Sequence, residues 1–208
     1  MKKYVICSIG LTAAGKTTLL KKVAHMCNIF FISEATIKRN MVQGEYNISN
    51  SMDEELRSQG YKAAIELAFD YLSIAGNNVV IIDASFHQLF RRLWIYDEII
   101  KRKITDVSVV WLYCKCDNES IIKRRINQRY IDPIKTADNQ ANTYDVYKYT
   151  LKTFDEVDIR DFKYKIPTYL VEFHTDSWRK LVVKTCCANE TFLDLDILNW
   201  RKLWESYM

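Results

Sequence analysis

The stretch Gly10-Leu-Thr-Ala-Ala-Gly15-Lys16-Thr17 has the pattern G-x-x-x-x-G-K-T, and it decides the fold of this sequence. An apolar, β-rich segment from Tyr4 to Ile9 precedes it, and a segment with helical spacing of apolar residues, Thr17 to Cys27, follows. This context predicts a strand, a tight turn and a helix, with the turn forming a phosphate-binding loop. The alternative, a glycine turn with a chance lysine, does not account for the flanking segments.

The residue types of the loop suit a bound nucleotide. Glycines let the backbone approach phosphate oxygens closely, and the N–H groups at the start of the helix carry partial positive charge. Lys16 supplies a full charge to the β- and γ-phosphates, and the Thr17 hydroxyl is a ligand for Mg²⁺. We therefore expect ATP and Mg²⁺ as cofactors. The expected ATP contacts in the loop are Gly10, Leu11, Thr12, Ala13, Ala14, Gly15, Lys16, Thr17 and Thr18.

Apolar β-rich segments alternate with helical segments along the rest of the chain. The expected strands are residues 4–9, 29–32, 79–83, 107–114 and 169–173. The expected helices are residues 17–27, 34–41, 51–75, 88–103, 118–130, 143–154, 178–187 and 193–204. Polar loops are expected at residues 44–50 and 132–142. This alternation predicts an α/β fold with a parallel sheet of about five strands and right-handed crossovers.

The composition excludes several classes of protein. The 208 residues are 49% hydrophobic and 27% charged, as in a single globular domain. No apolar run reaches the ~20 residues of a membrane-spanning helix, so we expect no membrane partner. Because the N-terminal segment does not have the pattern of an export signal, we expect a reducing, cytoplasmic location. The cysteines form no C-x-x-C pair and the three histidines are scattered, which predicts no zinc site. Cys7 and Cys114 lie in strand-like runs and are expected to be buried thiols. The net charge of +4 permits anionic substrates without requiring nucleic acid.

A second group beside the metal ion is expected at Asp83. This residue ends the apolar run Val79-Val-Ile-Ile. A carboxylate at the end of a buried strand can hold or orient Mg²⁺ beside the phosphate loop. The alternative is an aspartate that caps a helix. Ala84 follows Asp83, where ATP-hydrolysing motors usually carry a water-activating glutamate. The pair Asp83-Ala84 therefore favours phosphoryl transfer to a bound hydroxyl over hydrolysis.

Two groups of arginines are candidate phosphate or substrate contacts. Arg125 and Arg129 are four residues apart on a predicted helix, so they share one face and could clamp the phosphates of ATP. The alternative is a solvated basic helix face. Arg91 and Arg92 follow Asp83 closely, and one of them could reach the acceptor or the phosphates. A position on the surface of a helix is the alternative for both.

Taken in order, these motifs resemble the P-loop kinase family that includes polynucleotide 5′-kinase domains and related small-molecule phosphotransferases, also grouped with AAA-type ATPases. The phosphate loop comes first, and Val79-Val-Ile-Ile-Asp83-Ala-Ser85 is similar to the family's strand ending in Asp-Ala-Thr. Arg125-Ile-Asn-Gln-Arg129 is similar to its lid pattern R-x-x-x-R, and His174-Thr-Asp176 resembles the end of its last core strand. The resemblance implies a three-layer P-loop kinase fold with a helical lid. The implied kinase domain covers residues 1–187, with the lid at about 115–142, and residues 188–208 form a C-terminal helical extension.

The sequence departs from this family after the second strand. The family usually has an S-x-D-x-I-R-like stretch, whose aspartate accepts the proton of the acceptor hydroxyl. Here the stretch is Ser33-Glu-Ala-Thr-Ile-Lys-Arg39, so Ala35 holds the aspartate position and Lys38 the arginine position. Glu34 is the nearest carboxylate, and it either replaces the missing base or caps the following helix. The resemblance thus implies Glu34, Lys38 and Arg91 as substrate contacts.

Together these features predict an ATP-dependent kinase that transfers the γ-phosphate of Mg·ATP to a hydroxyl group. The expected catalytic residues are Lys16, Glu34, Asp83, Arg125 and Arg129, with Thr17 and Asp83 at the metal. The acceptor expected from the resemblance is a nucleic acid 5′ end or a nucleoside or nucleotide. An antibiotic or sugar is the alternative acceptor. A nucleotide-binding regulatory module without kinase activity is the alternative of another class.

Overall fold

A six-stranded sheet lies at the centre of the computed structural model, which describes residues 2–42, 53–131, 143–162, 164–176 and 181–186. The strands are β1 (Lys3–Ile9), β2 (Phe30–Ser33), β3 (Val79–Asp83), β4 (Val107–Lys115), β5 (Thr168–His174) and β6 (Leu181–Cys186). The described helices are α1 (Lys16–Cys27), α2 (Glu34–Met41), α3 (Glu54–Ser73), α4 (Leu89–Lys101), α5 (Glu119–Ile131) and α6 (Tyr144–Lys152). A short 3₁₀ turn covers Ile159–Asp161.

The strand order β2-β3-β1-β4-β5-β6 places the first strand inside the sheet. The first five strands are parallel, and β6 runs antiparallel to β5. Because parallel strands point the same way, the ends of β1, β2 and β3 lie at one edge, where Ser33 is paired with Asp83. Ligands of open α/β sheets bind at this carboxyl edge.

Apolar side chains cover both faces of the sheet and define three layers. On β1, Val5, Cys7 and Ile9 pack with α3 and α4, whereas Tyr4 and Ile6 pack with α1. This alternation is the two-residue period of a strand buried on both faces. The loop between β1 and α1 therefore follows a strand that is buried on both faces.

The turn from β2 into α2 has no intervening loop. Ser33 ends β2 and also caps α2, because its hydroxyl accepts a hydrogen bond from the backbone N–H of Thr36. The α3 helix has a similar cap at Asp53, whose carboxylate accepts from the N–H groups of Glu55 and Leu56. These caps fix the first turns of both helices beside the carboxyl edge of the sheet.

The five predicted parallel strands and the α/β fold class are confirmed. The predicted helix at residues 178–187 is wrong for the part that the structure describes, because Leu181–Cys186 is strand β6. Its run Leu-Val-Val-Lys-Thr-Cys contains three β-branched residues, which favour a strand, and Lys184 forms an ion pair with Glu172 of β5.

Several other expectations concern residues outside the described ranges. These are the helix at 193–204, the loops at 44–50 and 132–142, and the C-terminal extension 188–208. Of the expected lid, the structure describes the helix α5. The buried thiols Cys7 and Cys114 are confirmed. No helix in the described ranges has the length and apolar character needed to cross a membrane.

Candidate active site

The loop between β1 and α1 is a tight turn in which several residues have positive φ angles. Gly10 has φ +145° and Gly15 has φ +88°, and Ala13 is also left-handed with φ 63°. A Cβ on Gly10 would lie 2.4 Å from the carbonyl oxygen of Cys114. The Gly10 N–H donates to the carbonyl oxygen of Ser85, at 3.1 Å. Gly10 is therefore required by both its backbone angle and its neighbour on β4.

We expect Gly10→Ala to weaken nucleotide binding and to destabilise the fold. Backbone strain at such a position costs about 1–3 kcal/mol, and overlap with the Cys114 carbonyl adds to it. A loop distortion of about 1.4 kcal/mol already weakens binding tenfold. Gly76→Ala is the matched control, because Gly76 has φ +90° but no atom within 4 Å of its added Cβ. Calorimetric titration with ATP and thermal unfolding of both variants measure the difference; equal behaviour of the two would contradict the role of Gly10.

Three side chains of the phosphate loop and β3 are brought together as the sequence pattern predicts. The Lys16 ammonium donates to the carbonyl oxygens of Gly10 and Leu11, at 2.9 and 2.8 Å. The Thr17 hydroxyl donates to the Asp83 carboxylate at 2.7 Å. Ser8, which the sequence analysis missed, places its hydroxyl 3.4 Å from the other Asp83 oxygen. A cation, a hydroxyl and a carboxylate thus lie together at the start of α1.

Asp83 is buried, and its surroundings shift the pKa of its carboxyl in opposite directions. Burial raises the pKa of the Asp83 carboxyl above its ordinary value. The hydrogen bond from Thr17 and the charge of Lys16 lower this pKa, whereas the charge of Glu34 raises it. An additional cation beside Asp83 would favour its ionised form.

The Thr17 hydroxyl and the Asp83 carboxylate fit a magnesium ion. Mg²⁺ prefers oxygen ligands and is typically held by one or two protein groups together with phosphates and water. The described residues contain no cluster of three or more His, Cys, Asp or Glu that would suit a metal held by protein alone. The two oxygen donors would suit an Mg²⁺ ion that also binds nucleotide phosphates.

Arg125 on α5 reaches the phosphate loop. Its guanidinium donates to the carbonyl oxygen of Ala13 at 3.2 Å and to the hydroxyl and carbonyl oxygens of Thr175 at 3.1 and 2.6 Å. The Thr175 hydroxyl in turn donates to the carbonyl oxygen of Ala14 at 2.7 Å. Arg129 lies one turn further along α5, but its side chain is outside the described part of the structure. Thr175 lies in the stretch His174-Thr-Asp176, which resembles the end of the family's last core strand. Its place near the site could therefore be recognised from the sequence.

Glu34 and Lys38 form a buried ion pair on α2. The Glu34 side chain approaches the Lys38 ammonium at 3.0 Å, and Glu34 is 5% exposed. Both pack against Gly60 of α3, where an added Cβ would lie 2.5 Å from the Lys38 side chain. Glu34 is close enough to affect Asp83 electrostatically, but its carboxylate is engaged by Lys38.

A cavity of about 400 Å³ opens beside Thr17 and Asp83. Ala35, at the position where the related family has its aspartate, lines this cavity, whereas Glu34 does not line it. Aromatic and aliphatic side chains form much of the remaining wall: Phe30, Phe31, Ile37 and Leu67. Its volume falls in the range of small-molecule sites, and Asp83 is its acidic group.

Arg91 and Arg92 are both fully buried on α4, so the alternative of a surface position is wrong. Arg92 donates to the carbonyl oxygens of Phe86, Asp155 and Glu156, at 3.0 to 3.3 Å. These bonds hold two chain segments together, so Arg92 has a structural role, and of the two arginines Arg91 stays the candidate substrate contact. Arg91 instead contacts Glu54 of α3 and the ring of Tyr61.

The strand order, the loop between β1 and α1, Asp83 at the end of β3, and Arg125 over the loop define the fold of P-loop kinases. Solved structures agree with this class. A fungal RNA kinase is 15% identical, with a TM-score of 0.58, over 82% of this chain and 75% of that chain. A sugar kinase from Janibacter sp. HTCC2649 is 18% identical, with a TM-score of 0.56, over 83% of this chain and 86% of that chain.

A family model described as an AAA domain matches residues 5–153. The chain therefore belongs to this AAA domain family. The matched region runs from β1 through the end of α6 and includes the phosphate loop, Asp83 and α5. No curated protein sequence matches the chain.

Proposed function

We propose that this protein is an ATP-dependent kinase that transfers the γ-phosphoryl group of Mg·ATP to a hydroxyl group of an acceptor. The observation that carries the proposal is the constellation of Lys16, Thr17 and Asp83 at the phosphate loop, with Arg125 above it. Phosphoryl transfer needs positioning and charge neutralisation more than a covalent nucleophile, and this constellation supplies both.

The chain's own residues bind and orient the nucleotide. Backbone N–H groups at the start of α1 would face the phosphates, whereas the N–H groups of Gly10 and Ala14 donate to the carbonyl oxygens of Ser85 and Leu11. Lys16 exchanges its two carbonyl partners for phosphate oxygens, and Arg125 and Arg129 approach from the lid side. Thr17 and Asp83 would hold Mg²⁺, which neutralises phosphate charge when bound.

In the chemical step, a bond forms between the acceptor oxygen and the γ-phosphorus. The bond from the γ-phosphorus to the β–γ bridging oxygen breaks, and ADP leaves with the electron pair. The proton of the acceptor hydroxyl passes to a carboxylate and then to water. Asp83 suits this role better than Glu34, because Asp83 lines the cavity whereas the Glu34 carboxylate is paired with Lys38.

A nucleic acid 5′ end, a nucleoside or a nucleotide is the leading acceptor class. The cavity beside Asp83 has room for a ring, and Phe30 and Phe31 in its wall can contact a planar base. The similarity in fold to an RNA kinase supports this class. The similarity to a sugar kinase keeps a sugar or another small hydroxyl compound as the second candidate.

We expect Arg125→Ala to lower turnover about ten- to a hundredfold with every acceptor, because charge-assisted hydrogen bonds contribute about 1.5–3 kcal/mol. The reason is that Arg125 reaches the phosphate loop and not the cavity. Arg129→Ala should behave alike. Arg160→Ala is the control, since Arg160 is exposed and pairs with Asp158 in its own turn. Steady-state rates with two unrelated acceptors test this; a loss confined to one acceptor would place Arg125 in an acceptor groove instead.

A nucleotide-binding regulatory module is the second candidate function, and Ala35 is the observation that favours it. A chain without the family's aspartate could bind ATP and change shape without transferring phosphate. ADP release that depends on an acceptor distinguishes the kinase from this module, which would release ADP slowly regardless. In the module, Ala35→Asp would switch on transfer that the unmodified chain lacks.

A further inference from the structure

The wall of the cavity beside Asp83 is mostly apolar. Thr17, Ser33 and Thr36 contribute hydroxyl groups to it, and Asp83 and Lys21 are its charged residues among those that the structure describes. The other described lining residues have apolar side chains: Phe30, Phe31, Ile32, Ala35, Ile37 and Leu67. A ligand that fills this cavity therefore exchanges much of its hydration for contact with carbon atoms.

Three residues of the apolar wall are held in place by the surrounding fold. The Phe30 ring stacks on the Tyr71 ring of α3, with 4.4 Å between the ring centroids. Phe31 packs against the core on the α1 face of the sheet, and Ile37 packs against the core on the α3 face. The wall is therefore formed before a ligand binds, and a preformed pocket binds without the cost of ordering its side chains.

Part of this apolar wall is exposed to solvent. Phe30 is 39% exposed and Leu67 is 44% exposed, and both line the same cavity. Single exposed apolar residues are common on protein surfaces and need no explanation. Two that share one concave wall beside a reactive carboxylate are instead typical of a site for an apolar ligand.

The charged groups around the cavity do not favour an anion within it. Lys21 is the one cation among the described lining residues, and it is exposed, so water screens its charge. Lys38 and Arg91 are both buried, each contacts an acidic side chain, and neither lines the cavity. Asp83 is the acidic lining residue, and in its ionised form it would repel an anionic acceptor.

We propose that this cavity selects an uncharged acceptor whose hydroxyl group is carried by a planar or apolar ring, such as a nucleoside or an aryl alcohol. The inference rests on the proposed kinase function and narrows its acceptor class, because it disfavours nucleotides and other anionic acceptors. A phosphate or carboxylate against Phe30, Phe31 and Leu67 loses hydration that carbon atoms cannot replace. An uncharged ring gains from the same contacts, and the two aromatic rings can stack on it.

Binding is measured by calorimetric titration of protein saturated with Mg·AMPPNP, which fills the phosphate loop. The probes form two matched pairs: thymidine with thymidine 3′-phosphate, and benzyl alcohol with 4-(hydroxymethyl)benzoate. The members of a pair share the ring and the hydroxyl group and differ by one anionic group. We expect the uncharged member of each pair to bind about tenfold or more tightly, because an anion loses hydration in an apolar cavity. Equal or tighter binding of the anionic members would overturn the inference, and so would no binding of either uncharged probe.

Leu67→Gln tests the wall itself, because it replaces an apolar side chain with a polar one of similar size at a partly exposed position. We expect this variant to bind the two uncharged probes about three- to tenfold more weakly, as the loss of apolar contact area predicts. Leu151→Gln is the matched control, since Leu151 on α6 is 50% exposed and does not line the cavity. Equal affinities of the two variants for the uncharged probes would contradict an apolar contact at Leu67.

Initial rates of transfer to the same probe pairs separate this inference from the kinase function itself. We expect a lower KM for each uncharged member, and a higher KM for these members in Leu67→Gln than in the unmodified chain. A lower KM for the anionic members would overturn the inference, leave the kinase intact and indicate Arg91 as an acceptor contact. Binding of the uncharged probes that responds to Leu67→Gln, in a chain that transfers phosphate to no acceptor, would overturn the kinase and leave the selectivity of the cavity.

Discussion

Asp83→Asn is expected to lower phosphoryl transfer about a hundred- to ten-thousandfold, the range for loss of a general base. The substitution keeps the size of the side chain and can keep the hydrogen bond from Thr17. It removes the negative charge that would hold the metal ion and accept the proton of the acceptor hydroxyl. The expected loss is therefore in turnover, with a higher Mg²⁺ requirement, and the fold stays intact. Initial rates across a Mg²⁺ titration measure both effects.

Asp70→Asn is the matched control for this variant. Asp70 lies on α3, is exposed, and forms an ion pair with Arg102 far along the chain from the phosphate loop. Its replacement should leave turnover unchanged. Glu34→Gln separates the two candidate bases, because a larger loss there than in Asp83→Asn would assign the proton to Glu34. We expect Glu34→Gln to lower the stability of the fold, because it breaks the buried pair with Lys38.

Lys16→Ala is expected to reduce transfer about a hundred- to a thousandfold, because a preorganised charge at the transition state contributes about 3–4 kcal/mol. The Lys16 ammonium donates to two carbonyl oxygens of its own loop and lies beside the Thr17–Asp83 pair. Lys101→Ala is the control, since Lys101 is exposed on α4 and pairs with Glu98 of the same helix.

The two lysine variants are compared by acceptor-dependent ADP release and by thermal unfolding. We expect similar melting temperatures for both and a loss of transfer in Lys16→Ala alone. Near-normal transfer by a folded Lys16→Ala protein would contradict the assignment of the phosphate loop to catalysis.

The site at the phosphate loop could be predicted because its parts follow rules of chain geometry. Thr17 and Asp83 are 66 residues apart, yet their hydrogen bond follows from two facts available in the sequence. The loop follows one buried strand, Asp83 ends another, and parallel strands end at the same edge of a sheet. The contact of Arg125 with the phosphate loop agrees in the same way with its place after β4.

Other features depend on tertiary contacts that no local pattern encodes. Arg57 lies in a long helix whose sequence pattern does not indicate a buried cation. Arg91 and Arg92 have the spacing of surface residues on α4, and only the contacts with neighbouring segments bury them. The pairing of β6 with β5 also escaped prediction, because a short apolar run fits a strand or a buried helix equally well. Burial of charged groups is decided by which segments meet, and that information is not local.

Phosphoryl transfer is measured by following the γ-phosphate itself. ATP labelled at the γ-position is incubated with the protein, Mg²⁺ and separate acceptors: DNA and RNA with 5′-hydroxyl ends, nucleosides, nucleotides, sugars and aminoglycosides. We expect the label to appear on the hydroxyl of at least one acceptor, transfer to require Mg²⁺, and Lys16→Ala and Asp83→Asn to lower transfer about a hundredfold or more. Slow release of ADP that is the same with and without every acceptor, and no labelled acceptor, would contradict this expectation and identify a nucleotide-binding module instead.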